Sequence, residues 1–253
     1  MSFILNPDFT ANKDAIKDFI INFNSKGILF GDGKRNKIKV FELDTKSVNI
    51  KSFKVPNLIN QVVYKFFRKS KAKRSFEYAT RLMQMGIGTP TPIAYSENFS
   101  LVGLQDSYYV CQHLLTELTF RELVEIPDYP ENELILRQFV NFSFQLHDKG
   151  VEFLDHSPGN TLIKKVAESK YDFFLVDLNR MNFHESMDFE MRMKNLSRLT
   201  PKKEMVAIMS NEYAKLYPKS ESEILEKMWF YTADFQKKFH KKIRLKKKLK
   251  FWK

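Results

Sequence analysis

Two stretches, residues 153–160 (FLDHSPGN) and residues 173–180 (FFLVDLNR), decide how this sequence is interpreted. In the first, Asp155 and Asn160 stand five residues apart on a loop that contains proline and glycine. In the second, Asp177 ends a short apolar run that is typical of a strand. Two carboxylates and an amide oxygen in this order can orient a hydroxyl and hold Mg²⁺, which prefers oxygen ligands. The stretches therefore indicate phosphoryl transfer, although Asp155 and Asn160 are also common in ordinary turns.

Short β-rich runs and amphipathic helices precede these stretches. Residues 27–55 contain three apolar runs separated by turn-forming residues and predict three antiparallel strands. Asn57 is placed to cap a helix over 57–68. We expect its apolar stripe to pack in the core, and the alternative is that residues 57–74 dock on an anionic membrane surface. A second helix is predicted over 72–85, and a further strand pair over 100–114.

Helices dominate the second half of the chain. A long apolar-periodic helix is predicted over 131–148, and two short strands over 160–178. Thr200 before Pro201 is the expected N-cap of a further helix. Residues 220–223 (SESE) form a capping box that opens a last helix, predicted to end near residue 238.

The net charge of +12 is concentrated in two segments. Lys65–Arg74 holds 6 basic residues and no acidic one, and residues 239–253 hold 8 and none, so the remainder of the chain is close to neutral. We expect two surfaces that face anions. The end of the chain, Lys241–Lys253, mixes its basic residues with apolar ones, which favours an anionic membrane surface over nucleic acid.

Composition excludes several other classes of protein. Cys111 is the only cysteine, so neither an internal disulfide nor a multi-cysteine metal site is possible. No apolar run approaches the ~18 residues of a membrane span, and the first residues do not resemble a signal peptide. We therefore expect a cytoplasmic protein. The predicted organisation has four parts: an N-terminal extension (1–26), a β-rich part (27–115), a helical part (116–240) and a polybasic tail (241–253).

In order and spacing, the sequence resembles the protein-kinase-like superfamily between residues 27 and 180. Asp155 to Asn160 resembles the catalytic loop D-x-x-x-x-N, and Asp177-Leu178-Asn179 resembles the D-F-G metal site. The run from Val48 to Lys51 (VNIK) matches the V-A-I-K strand. The resemblance implies an α+β, two-lobed fold with a small β-rich N-lobe and a larger helical C-lobe.

The same resemblance implies ATP and Mg²⁺ as cofactors and assigns residue roles. Asp155 would be the catalytic residue, Asn160 and Asp177 the metal ligands, and Lys51, oriented by Glu77, the phosphate-binding lysine. Lys54 remains an alternative to Lys51. The other ATP-binding candidates are the glycines of the phosphate loop and the hinge residues: Gly31, Gly33, Gln112 and His113.

Two departures from the protein-kinase pattern are informative. Phe153-Leu154 replaces the His-Arg pair before the catalytic aspartate, so the arginine that reads a phosphorylated activation loop is missing. Asn179 stands in place of the D-F-G glycine and is a residue that tolerates left-handed backbone.

These departures, together with IKSF, RSFE, GIGTPTPIAY, LDHSPGN and VDLNR, make the chain similar to the lipopolysaccharide core kinases, the Kdo/heptose kinase family. That family phosphorylates a sugar hydroxyl of lipid A–core oligosaccharide. The resemblance implies a lipid-anchored sugar substrate and a peripheral location on the cytoplasmic face of the inner membrane. Two other functions stay open: a kinase of a protein or another small hydroxylated substrate, and a catalytically inactive module that binds a membrane or a partner.

Overall fold

The structure is a computed structural model that describes residues 2–31 and 36–251, the side chains of residues 249–251 excepted. Two compact units divide the chain. The first unit is built from the residues up to Leu115 together with Val176–Arg180. The second consists of Thr116–Leu175 and the chain from Met181 onward. A short segment from the middle of the sequence, which contains Asp177, therefore belongs to the N-terminal unit.

The first unit contains an antiparallel sheet of six strands in the order β1-β5-β6-β4-β3-β2. The strands are β1 (Ser2–Leu5), β2 (Ile28–Phe30), β3 (Lys37–Leu43), β4 (Lys46–Phe53), β5 (Pro92–Phe99) and β6 (Leu104–Gln112). The three strands predicted within residues 27–55 are confirmed as β2, β3 and β4. The strand pair predicted over 100–114 is wrong for residues 100–103, which form the turn between β5 and β6, where Ser100 N donates to Gly103 O (2.9 Å).

Three helices accompany this sheet: α1 (Lys13–Ile21), α2 (Leu58–Phe66) and α3 (Lys71–Gln84). Helix α1 buries Ile16 and Ile20 in a cluster with Val48 and Ile50 of β4. Asn57 caps α2 as predicted, since its side chain accepts a hydrogen bond from Asn60 N (3.0 Å). The predicted helix over 72–85 is confirmed as α3.

The orientation of α2 corrects a sequence expectation. Its apolar stripe is exposed rather than packed in the core, and the exposed side chains are Leu58, Ile59, Val62, Phe66 and, just after the helix, Phe67. The inward face is polar: Gln61 Nε2 donates to Pro56 O, and Lys65 Nζ donates to Leu101 O (2.7 Å). Gly103 permits this close approach, because a Cβ there would lie 2.4 Å from the backbone of Gln61.

The second unit is mainly helical, with five helices: α4 (Phe120–Glu125), α5 (Asn132–Asp148), α6 (Phe189–Leu196), α7 (Lys203–Ala214) and α8 (Glu221–Phe251). Two small antiparallel sheets, in the orders β10-β9-β7 and β11-β8, complete it. Their strands are β7 (Leu118–Thr119), β8 (Val151–Phe153), β9 (Thr161–Ala167), β10 (Lys170–Leu175) and β11 (Met181–Phe183). One core joins α4 and α5 to α7 and α8, with Phe120, Phe139, Met209 and Met228 fully buried in it.

Two helix ends in this unit differ from the predictions, and one is confirmed. Ser220 and Glu223 form the predicted capping box of α8, in which Ser220 N donates to Glu223 Oε2 (3.0 Å) and Glu223 N to Ser220 Oγ (3.3 Å). Thr200 does not cap α7. Its hydroxyl instead accepts from Lys202 N (3.1 Å) in the preceding turn. Helix α8 continues to residue 251 instead of ending near 238, so the basic run is helical as far as it is described, and Trp252 and Lys253 lie outside the described residues. None of the described helices is both long and apolar enough to cross a membrane.

Candidate active site

The first unit joins Lys51 to Asp177 across 126 positions of sequence. Lys51 Nζ donates to Asp177 Oδ1 at 2.6 Å, and both side chains are partly shielded from solvent. On β4 the side chains of Val48 and Ile50 enter the core on one face, so Lys51 leaves the strand on the other. The alternation of the strand thus fixes where the lysine points, and the 176–180 segment supplies its carboxylate.

Asp177 has a left-handed backbone conformation with φ of 57°. Such a conformation is uncommon outside glycine and stores strain on the order of 1 kcal/mol, which is typical of functional sites. Asn179 Nδ2 donates to the same oxygen, Oδ1, at 2.6 Å. Asn179 itself does not have positive φ, so the left-handed position expected there falls on the aspartate instead.

Glu77 does not form the expected pair with Lys51. Its carboxylate accepts both of its hydrogen bonds from Lys69 Nζ, at 2.8 and 3.0 Å. The face of α3 that is buried carries Ser75 and Ala79. Glu77 lies two residues after Ser75 and hence about 200° around the helix, which places it on a different face. The prediction that Glu77 orients Lys51 is therefore not met in this structure.

The loop between β2 and β3 is the expected phosphate loop. Phe30 pairs with Ile38 in the hairpin, and Gly31 follows β2 with a φ of 82° in open space. That conformation favours glycine. Gly33 lies outside the described residues.

The expected hinge residues use their backbone amides within the first unit. Gln112 N donates to Thr91 O and His113 N to Ser47 O, each at 2.9 Å. Those two N–H groups are therefore engaged by the protein itself. His113 Nδ1 is buried and has no hydrogen-bond partner among the described residues. Any recognition of a base by this segment must use its carbonyls or the amides that follow.

In the second unit, Asp155 and Asn160 lie on the loop after β8. Asn160 Nδ2 donates to Asp155 O (2.8 Å), and Asn160 N donates to Ser157 O in the short 3-10 turn Pro158–Asn160. This closes the loop on itself. The Oδ1 atom of Asn160 forms no hydrogen bond within the described part of the chain.

Arg198, which follows α6, forms an ion pair with the Asp155 carboxylate. Its Nη1 lies 3.1 Å from Asp155 Oδ1 and donates to Leu154 O at 2.7 Å. The guanidinium stacks over Phe235 of α8, 5.3 Å from the ring centroid. One arginine thus fixes both the carboxylate and the backbone of the loop.

Buried, neutral side chains also hold this loop through hydrogen bonds. Asn195 Nδ2 donates to Phe153 O (3.0 Å), while its Oδ1 faces His147 Nε2 (3.2 Å) and His156 Nδ1 (3.3 Å). Both histidines are fully buried. Burial lowers the pKa of His147 to about 3 and that of His156 to about 4, so both rings are neutral at pH 7.

Each unit offers one oxygen atom of the kind that a hard cation prefers. Asp177 Oδ2 and Asn160 Oδ1 are the acceptors that internal hydrogen bonds leave unused in the described chain. Such donors suit Mg²⁺. Nowhere in the described residues do three or more His, Cys, Asp or Glu side chains gather as a metal cluster. Neither unit, taken by itself, therefore holds a closed structural metal site among its described residues.

Sequence reasoning missed Arg198 and Asn195 because both act across more than 35 positions of sequence. An asparagine beside apolar residues of α6, Asn195, was only a weak signal for a side chain that holds the Asp155 loop. It also missed Lys71 and Arg74 as individual side chains, because their segment was interpreted as one basic surface.

No protein-family model matches the sequence, and no curated protein matches it. Among solved structures, WaaP in complex with acyl carrier protein is similar, with a TM-score of 0.64 and 18% identity over 95% of this chain and 99% of that chain. The MAP kinase LmaMPK10 from Leishmania major aligns with a TM-score of 0.48 and 14% identity, over 86% of this chain and 65% of that chain. The likeness to WaaP shows the fold, and the predicted α+β fold with a β-rich N-terminal and a helical C-terminal part is confirmed.

Proposed function

We propose that this protein is a phosphotransferase that moves the γ-phosphate of ATP to a sugar hydroxyl of lipid A–core oligosaccharide, Kdo or heptose. The observation that carries the proposal is the Lys51–Asp177 contact of 2.6 Å, formed by two motifs that lie far apart in sequence. A lysine on a central strand beside a strained aspartate is the arrangement that nucleotide phosphates and their metal require.

Lys51 is the proposed phosphate-binding lysine. Lys54, the alternative, is exposed just after β4, and its backbone N donates to Asn36 Oδ1 (3.3 Å). Gly31 and Gly33 would cover the phosphates with backbone amides. The adenine would meet the backbone beyond Gln112 and His113 rather than their engaged amides.

Asp177 and Asn160 are the proposed metal ligands, each through its unused oxygen. When bound, Mg²⁺ would neutralise charge on the nucleotide phosphates. Asp155 would accept or orient the proton of the acceptor hydroxyl, and Arg198 would keep its carboxylate in place. Catalysis would rest on positioning and charge neutralisation, because phosphoryl transfer asks for little covalent chemistry from the protein.

The sugar acceptor is supported by the sequence motifs, which resemble those of the lipopolysaccharide core kinases. The likeness to WaaP supports the fold on which those motifs lie. An acceptor anchored in a bilayer would place the enzyme at the cytoplasmic face of the inner membrane.

Two surfaces of the chain suit that location. The exposed stripe of α2 offers Ile59 and Phe67, which are 77% and 83% exposed, and the basic end of α8 interleaves Ile243 and Leu245 with cations. Apolar insertion together with cationic contacts stabilises binding to anionic lipid. WaaP was solved with acyl carrier protein, so a protein of that kind is an alternative partner for the basic surface.

Titration of the full chain with ATP, with and without Mg²⁺, tests the nucleotide site by calorimetry. Lys51→Gln should weaken Mg–ATP binding about tenfold or more, since a charge-assisted contact is lost, whereas Lys54→Gln, a matched loss of charge, should change it less than about twofold. Asp177→Asn should remove the Mg²⁺ dependence, and Asp155→Asn should retain binding. Equal effects of the two lysine variants would contradict the assignment of Lys51.

A further inference from the structure

Arg74 of α3 is a buried cation without a counter-ion. Only 8% of the residue is exposed, and it forms no ion pair with any described residue. Its one hydrogen bond is a long contact from Nε to Ser70 O (3.4 Å). Burial lowers the pKa of Arg74, and the nearby Arg68 guanidinium lowers it further. A guanidinium stays charged under these conditions, so its burial is costly unless an anion compensates it.

Lys71, one turn earlier on α3, is in a similar situation. It is half-buried, and its ammonium group makes no hydrogen bond within the described residues. Burial lowers the pKa of Lys71, the carboxylate of Asp177 raises it, and Arg74 and Lys51 lower it. Lys71 therefore stands close enough to Asp177 and Lys51 to feel both charges.

Together these side chains form a cationic cluster, defined as Lys51, Arg68, Lys71 and Arg74. Asp177 is the carboxylate that acts on it, and that carboxylate already accepts the hydrogen bond from Lys51. Tyr64 and Tyr78 also border Arg74, and neither side chain is a carboxylate. The cluster thus carries a positive excess at a place that the fold partly shields from water.

We propose that the cationic cluster is a second phosphate site, in which Lys71 and Arg74 bind an oxyanion beside the Lys51–Asp177 pair. Arginine offers a planar fork that matches phosphate oxygens, and lysine adds a mobile point charge. The N-terminal turn of α3, which begins at Lys71, adds a favourable dipole for the same anion.

The oxyanion has two chemically equivalent sources: a phosphate of the nucleotide, or a phosphate carried by the acceptor. Only the identification of these two sources rests on the proposed function. The site itself is tested without turnover, with inorganic phosphate as the probe, so failure of the site and failure of the reaction are distinguishable.

Calorimetric titration of the full chain with inorganic phosphate tests the site. Lys71→Gln should weaken phosphate binding about tenfold, since one charge-assisted hydrogen bond is lost. Lys73→Gln removes the same charge from a different face of α3 and should change the affinity by less than about twofold. Equal effects of the two variants, or no binding by the wild-type protein, would overturn the proposal.

Thermal unfolding gives a second readout, which tests Arg74 as well as Lys71. Phosphate should raise the Tm of the wild-type protein and of Arg74→Lys, but not that of Arg74→Met, in which a side chain of similar length lacks charge. If Arg74→Met does not fold, Arg74→Lys and Lys71→Gln still show whether phosphate stabilises the protein through the cluster. The same Tm rise in Lys71→Gln as in the wild-type protein would contradict the proposal.

Repeating the titration with a saturating non-hydrolysable ATP analogue and Mg²⁺ separates the two sources. If the nucleotide fills the cluster, the analogue should abolish phosphate binding and Lys71→Gln should weaken analogue binding. If the acceptor fills it, phosphate should still bind beside the analogue, and Lys71→Gln should leave analogue binding unchanged. Either pattern supports the site and assigns its ligand.

Discussion

The polar loop of the second unit and the cationic cluster of the first unit are stabilised in opposite ways. Around Asp155 the side chains are balanced: Arg198 pairs with the aspartate, and Asn195 with two neutral histidines holds the loop from below. Around Arg74 the charges are unbalanced, with several cations against the carboxylate of Asp177. A balanced network keeps its geometry without a ligand, whereas an unbalanced cluster gains stability when an anion arrives.

The difference separates the two tasks of the proposed reaction. The loop is built to hold one carboxylate in a fixed position, which suits chemistry on a hydroxyl. The cluster is built to bind charge, which suits phosphates. Substitutions in the loop should therefore change the rate, and substitutions in the cluster should change affinity.

The largest expected effect is that of Asp155→Asn. The variant keeps the size of the side chain and removes the proton acceptor, so kcat should fall about 10³-fold while the KM for ATP changes little. Steady-state kinetics with Mg–ATP measure both. A kcat close to the wild-type value would show that Asp155 is not the catalytic residue.

The next largest expected effect is that acid destabilises the folded protein through the buried His156. His156 takes up a proton near pH 6.5 in the unfolded chain but only near pH 4 in the folded protein. The unfolded state therefore binds more protons between those values, and stability falls as the pH drops from about 7 to about 4. Over this pH range, the lowered pKa of His156 reduces the free energy of unfolding by about 3 kcal/mol.

Urea unfolding at pH 7 and pH 4 of His156→Gln and of the exposed His240→Gln measures this contribution. The first variant should lose part of the pH dependence, and the second should retain it. Identical pH dependence in both variants would refute the buried-histidine account.

Arg198→Met should lower kcat about tenfold, because Asp155 loses the group that positions it. Arg198→Lys should restore part of the rate, which a purely structural role of the arginine would not predict. Lys194→Gln, an exposed charge on α6, is the matched control. The idea of positioning fails if Arg198→Met and Lys194→Gln have the same kcat.

The smallest effect on stability should come from the exposed stripe of α2. Ile59→Ser should change the free energy of unfolding by less than about 0.5 kcal/mol, whereas the buried Ile50→Ala should cost about 2–5 kcal/mol. Binding of Ile59→Ser to anionic vesicles, measured by co-sedimentation at low salt, should nevertheless be weaker. Unchanged sedimentation would remove α2 from the membrane-docking surface.

Local chemistry in the sequence predicted most of the elements that hold the site. Strands β2 to β4, the Asn57 cap and the capping box at Ser220 follow from turn residues and spacing, because each is decided within a few positions. The motif residues Lys51 and Asp177 were also identified, and the structure brings them together.

The sequence could not decide which face of α2 packs inward, because polar side chains of a helix can also be satisfied by hydrogen bonds inside the fold. Helix α2 turns Gln61 and Lys65 inward because carbonyl and amide groups near β6 receive them, and periodicity alone predicted the reverse. Glu77 fails for a related reason, since the rotation of α3 is set by Ser75 and Ala79. Tertiary contacts of this kind leave no mark on local spacing.

Mass spectrometry of lipid A–core, incubated with the full chain, ATP and Mg²⁺, tests the central claim most directly. The wild-type protein should add one phosphate to the oligosaccharide, and Asp155→Asn, which still binds Mg–ATP, should add none. Equal phosphate incorporation by both proteins, or none by a wild-type protein that binds Mg–ATP normally, would contradict the proposed phosphotransferase.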